Sequence, residues 1–85
     1  MKLIYCQICG DVRKLAKSET ICACGASWGN YKEDGLNANI HGEAIPLGFD
    51  NSGFMQCINQ QPEKGQGKVF CAFVIPKECP TIKVM

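Results

Sequence analysis

A chain of 85 residues is one domain, at a size where an apolar core alone supplies only about 3–5 kcal/mol, so an additional staple is expected. Apolar residues at 46% and charged residues at 20% exclude a disordered, collagen-like or low-complexity chain, and a formal charge of +1 argues against strong non-specific DNA binding. The N-terminal MKLIYCQICGD falls far short of a signal-peptide core, and no stretch approaches the ~20 apolar residues of a membrane span, so a cytoplasmic location without a membrane partner is expected.

The first feature along the chain is a pair of cysteines, Cys6 and Cys9, in a CxxC followed by Gly10. After a twelve-residue interval Cys22 and Cys24 form a CxC followed by Gly25. The intervening DVRKLAKSETI has apolar Val12 and Leu15, a polar AKSE and a return through Ile21, the pattern of a hairpin separating two knuckles. SWGNYKEDGLNANIHG then places Asp34-Gly35 between two alternating segments, a strong signal for a second hairpin. On its return arm Leu36, Ala38, Ile40 and Gly42 share one face, while Asn37, Asn39 and His41 share the polar one.

EAIPLGF continues as a short extended segment that Pro46 restricts to an edge or an irregular stretch. One helix is predicted over 52–61, with Asp50, Asn51 or Ser52 as cap, Phe54, Cys57, Ile58 and Gln61 along one face, and Pro62 as its stop. After a flexible EKGQGK loop, the apolar run VFCAFVI is too long for a half-exposed strand. It predicts a central strand covered on both faces, or one buried at a subunit contact. In the tail KECPTIKVM, Ile82 and Val84 alternate with Thr81 and Lys83 as a last strand. The expected fold is therefore α+β. Residues 1–35 form a small zinc ribbon, β-hairpins around a four-Cys site; residues 36–85 extend it with a short antiparallel sheet and one helix, packed on it as one compact unit.

The cysteines decide the chemistry. Seven is an odd number, and the cytosol keeps thiols reduced, so a disulfide framework is disfavoured on two counts. Two close pairs in two turns supply the four thiolates that tetrahedral Zn²⁺ takes, and Gly10 and Gly25 stand where a chain reversing around a metal needs positive φ. A thioredoxin-like redox CxxC would open a helix, which Gly10 and Asp11 break, and it would leave the second pair without a purpose. Iron suits a four-thiolate site too, and zinc is the default where no other electron-transfer feature accompanies it. The expected cofactor is one structural Zn²⁺ on Cys6, Cys9, Cys22 and Cys24: four protein ligands leave no open position, so no catalytic residue and no enzyme activity are expected. Loading takes the formal charge from +1 to about −1.

His41, the single histidine, lacks any HxE or HExxH context and reads as an exposed strand residue. Cys57 and Cys71 read as small apolar side chains, and Cys79 as a partly exposed thiol with no histidine to activate it. The strings CQICGDV, CACG, NANIHGEAIPLGFDNSGF and FCAFVIPKECPT resemble the small, uncharacterised zinc-ribbon proteins of bacteria and bacteriophages. The resemblance runs nearly end to end and implies a compact cytoplasmic zinc ribbon with an α+β extension, without catalytic residues.

Two binding functions suit such a surface. Arg13, Lys14 and Lys17 on the first hairpin, with Trp28 and Tyr31 beyond the second knuckle, sketch a nucleic-acid contact, although Asp11, Glu19, Glu33 and Asp34 offset the charge. A solvated hairpin edge is the plainer reading of those cations, and core packing the plainer reading of Trp28. VFCAFVIP and AIPLGF supply more extended apolar surface than one short helix can cover. The preferred expectation is a protein-interaction module, by self-association or with a larger partner, acting as an accessory, regulatory or inhibitory factor. Nucleic-acid binding is the alternative.

Overall fold

Each cysteine pair occupies the turn of its own β-hairpin. In the computed structural model, which describes residues 1–85, β1 (Lys2–Cys6) and β2 (Val12–Lys14) flank the first pair, and β3 (Thr20–Ile21) and β4 (Ser27–Tyr31) flank the second. The single hairpin expected between the pairs does not form. Its two arms enter different four-stranded sheets, because each finds a five-residue partner strand instead. Leu15 carries the chain across between the sheets: its side chain is buried, its N–H donates to the Lys2 carbonyl at 3.1 Å, and the next carbonyl, of Ala16, accepts from Tyr31 at 2.7 Å.

The strand order is β2-β1-β6-β7 in one sheet and β3-β4-β5-β8 in the other, with β5 spanning Ala38–Gly42, β6 Ala44–Phe49, β7 Ala72–Val74 and β8 Ile82–Val84. Each sheet thus draws two strands from residues 1–35 and two from 36–85. All pairings are antiparallel except β5 with β8. The expected Asp34-Gly35 hairpin joins β4 to β5. Gly35 has φ 68°, and the Asp34 carboxylate accepts from the Asn37 side chain and from the amides of Leu36 and Asn37, which holds its pKa down at about 2.

Alternation places Ile4, Ala38 and Ile40 inward, where they meet Leu15, Ile75 and Ile82 in the core between the sheets. Leu36 lies outside this set, exposed in the turn before β5 begins. β6 is an inner strand despite Pro46. The Pro46 carbonyl accepts from the Ile75 N–H at 3.0 Å, so its missing N–H also faces the β7 side, at the point where β7 ends, and the ladder to β1 loses nothing.

VFCAFVI is not a covered central strand. Only Ile75 of the run is buried; β7 is an edge strand of three exposed residues, with Phe73 54% and Val74 66% exposed, and Val69 before it is 93% exposed. Helix α1 (Asn51–Asn59) is shorter than expected and buries no residue. Its Phe54 joins Phe49 and Phe70 in an aromatic triad with ring centroids 4.9–5.4 Å apart. Cys71 is exposed, whereas Cys57 is half-buried and its thiol meets the Val69 carbonyl at 3.3 Å. No helix is long and apolar enough to cross a membrane.

Candidate metal centre

The two knuckles are built alike. In the first, Cys6 and Asp11 close the hairpin by Cys6 N–H to Asp11 O at 2.9 Å, and Gly10 turns the chain at φ 74°. In the second, Cys22 N–H donates to Ser27 O at 2.9 Å and Gly25 turns at φ 82°. Both glycines therefore hold the left-handed conformation that a Cβ disfavours, as the sequence pattern predicts.

The four sulfurs of Cys6, Cys9, Cys22 and Cys24 lie within 4.8 Å of one another. A regular tetrahedron with ~2.3 Å metal–sulfur bonds has edges of about 3.8 Å. Here Cys6 to Cys24 is 3.7 Å and Cys22 to Cys24 is 3.6 Å, too long for disulfides and close to the tetrahedral edge. Backbone amides face the sulfurs from both turns: Ile8 and Cys9 N–H reach Cys6 Sγ at 3.4 and 3.5 Å, and Ser27 N–H reaches Cys22 Sγ at 3.3 Å. Such donors stabilise thiolates.

Side-chain polarity adds a further fit. The Ser27 hydroxyl is fully buried and makes no well-formed hydrogen bond, although it lies close enough to the Cys6 thiol to be the foremost influence lowering it, to about 6, ahead of the Cys9 amide. An orphaned buried hydroxyl beside a ligand sulfur has an acceptor once that sulfur carries a full thiolate charge on a metal. Replacing it by Ser27→Ala is expected to leave the fold intact and weaken metal affinity about tenfold in competition with a chromophoric chelator. Unchanged affinity would remove Ser27 from the centre.

The remaining thiols show what a cation adds. At Cys22 desolvation raises the pKa, but the Ser27 amide and the Cys24 contact outweigh it, and the thiol ends below its ordinary value. At Cys24 the Ala26 amide pulls downward, but desolvation and the sulfurs of Cys9, Cys22 and Cys6 push the thiol up to about 12. Ionisation is favoured at Cys6 and opposed at Cys24, and a cation at the centre would favour the thiolate form of both.

Two connections hold the knuckles face to face, and neither is visible in the cysteine spacing. Asp11 accepts from Arg13 Nε at 2.6 Å and from the Ala23 amide at 2.8 Å, tying the first knuckle to the second, and the Arg13 contact first, then Ala23, lowers its pKa. Glu43, the one residue between β5 and β6, is wedged between the turns. Its carbonyl accepts from Gln7 N–H at 3.2 Å and its N–H donates to Ala26 O at 3.0 Å.

The basic and aromatic candidates are spread out. Arg13 and Lys14 lie on β2, the edge of the first sheet, with Arg13 engaged by Asp11; Lys17 is exposed in the crossing segment. Trp28 is not a core residue. It alternates with buried Ser27 and Gly29 on the outward face of the second sheet, half-buried and stacked on His41 with centroids 5.2 Å apart and planes 7° apart. Comparison of the chain with protein-family models, curated proteins and solved structures finds no match.

Proposed function

We propose that this is a small zinc-ribbon protein, of the kind its sequence resembles in bacteria and phages. One structural Zn²⁺ on Cys6, Cys9, Cys22 and Cys24 holds together a non-catalytic cytoplasmic module that binds another protein. Its near-neutral charge and its four-ligand site support this reading. The observation that carries it is the bare edge of β7, where the eight residues 69–76 contain no charge and Val69, Phe73 and Val74 are exposed. Lys68, Pro76 and Lys77 guard its ends, but Ala72, Phe73 and Val74 between them carry neither charge nor proline, and their outward side is a place for a partner strand.

The edge has a definite polarity. Cys71 O accepts from Asp50 and Ile75 N–H donates to Pro46, so residues 71, 73 and 75 direct their backbone groups toward β6, and the N–H and C=O of Ala72 and Val74 point outward. Ala72→Pro therefore deletes an outward donor without touching the β6 ladder. It is expected to keep metal content and circular dichroism, and to weaken by at least tenfold a complex captured in cells by a photo-crosslinker at position 74 and quantified by native mass spectrometry. Phe73→Pro, whose N–H faces β6, is expected to disrupt the strand itself.

A nucleic-acid reading has one observation of its own, the half-exposed Trp28–His41 stack. It predicts salt-sensitive oligonucleotide binding that is lost when Arg13, Lys14 and Lys17 are neutralised together. That result, combined with unaffected binding in Ala72→Pro, would replace the protein-binding proposal.

A further inference from the structure

The core between the two sheets is open on one side. The edges β2 and β3 are bridged by the crossing segment around Leu15, but on the opposite side β7 and β8 stand apart, linked by residues 75–81. Between them is a cavity of about 480 Å³, within the range of small-molecule sites. Core side chains Ile40, Ile75 and Ile82 form part of its lining, and Val74 and Val84 at its sides are 66% and 62% exposed. Ile40, Ile75 and Ile82 are buried, so the apolar surface that the opening leaves facing water belongs chiefly to Val74 and Val84.

The polar content of the lining is small and of one sign. Lys77 is its only charged residue; it is exposed and takes no part in an ion pair, the chain's single ion pair being Arg13 with Asp11. The remaining polar group is Gln7, whose side-chain amide reaches the Glu43 carbonyl at 3.4 Å from within the first metal knuckle. An occupant complementary to this arrangement has an aliphatic body for the apolar walls and a single negative head for Lys77. A cationic head would meet an unpaired ammonium, and a fully polar anion would leave the apolar lining wet.

We propose that the cavity between β7 and β8 binds an amphipathic monoanion of the fatty-acid class, its chain against Val74 and Val84 and its carboxylate at Lys77. The two readings share the Val74 side chain, but the partner strand would use the outward backbone of β7 and the ligand would use Lys77, so Ala72→Pro and Lys77→Glu test them separately.

The probes are decanoate, decanol and decyltrimethylammonium, titrated into the zinc-loaded full chain and followed by backbone amide NMR shifts. Saturable one-to-one binding of decanoate is expected, with shifts centred on residues 74, 77 and 84. Decanol should bind about three- to fivefold more weakly, since an exposed ion pair adds only that much, and the cation more weakly still. Lys77→Glu, at an exposed position, should abolish the preference for decanoate while keeping decanol binding. Val84→Asp should weaken both, and if that variant loses its fold, Lys77→Glu carries the test alone. The proposal is overturned if decanoate does not saturate, if its shifts lie elsewhere, or if decanol and decanoate bind equally to the wild type.

Discussion

Stripping the metal is expected to unfold both sheets rather than fray one end of the molecule. The two hairpins that carry Cys6, Cys9, Cys22 and Cys24 are the inner or edge strands of different sheets, and each is sealed to the second half of the chain, β1 to β6 and β4 to β5. Without the ion, four sulfurs within 4.8 Å must hold protons or repel, and the knuckles separate. A core cluster of six buried residues offers little to offset this, whereas structural zinc in comparable sites contributes roughly 10–16 kcal/mol. Native mass spectrometry of protein purified without chelator should find one zinc per chain, and chelation should abolish the cooperative thermal transition seen by circular dichroism. Cys22→Ser should do the same at equal protein concentration. A chain free of metal as purified, or a melting curve unmoved by chelator and by Cys22→Ser, would sink the zinc assignment. Visible charge-transfer absorption would give the site to iron instead.

The cluster was legible in the sequence because metal ligation by knuckles is a local pattern. Two short cysteine spacings and two glycines specify turns, and Gly10 and Gly25 hold positive φ for the expected reason. The Asp34-Gly35 hairpin was legible on the same ground. What lay beyond the sequence was the choice of partner for very short strands. β2 has three residues and β3 two, so their pairing follows the longer strands beside them, and nothing within DVRKLAKSETI shows that its arms part into two sheets. Pro46 misleads because its effect depends on which side of β6 lacks a partner donor, a fact of register. Apolar content likewise says that VFCAFVI needs cover but not that the fold leaves it on an edge. The bridging roles of Asp11 and Glu43 leave no local pattern for a similar reason: both act across the gap between knuckles, one by a carboxylate and one by its backbone.

Gly42→Ala is expected to be among the most damaging single substitutions outside the cysteines, and to act through the metal centre. Gly42 ends β5 at φ 71°, a conformation that costs an alanine about 1–2 kcal/mol by itself. Space is the larger obstacle. A Cβ there would stand 2.1 Å from the Ala26 carbonyl oxygen and 3.0 Å from Trp28 Cζ3, and the first of these is backbone that cannot rotate away. That same Ala26 oxygen accepts the Glu43 N–H, the contact that wedges the β5–β6 corner between the knuckles, while Ser27 beside it aims its amide at Cys22. Relief of the clash must therefore move the Cys22–Ser27 turn, the corner, or both. The expected cost is about 3 kcal/mol or more, combining backbone strain with the lost bridge. Gly10→Ala is the informative control, having positive φ but no neighbour within 4 Å of the new Cβ, so strain alone should apply. Gly42→Ala should accordingly lower both the melting temperature and the zinc affinity far more than Gly10→Ala. Equal effects of the two variants would mean that the β5–β6 corner does not hold the knuckles together.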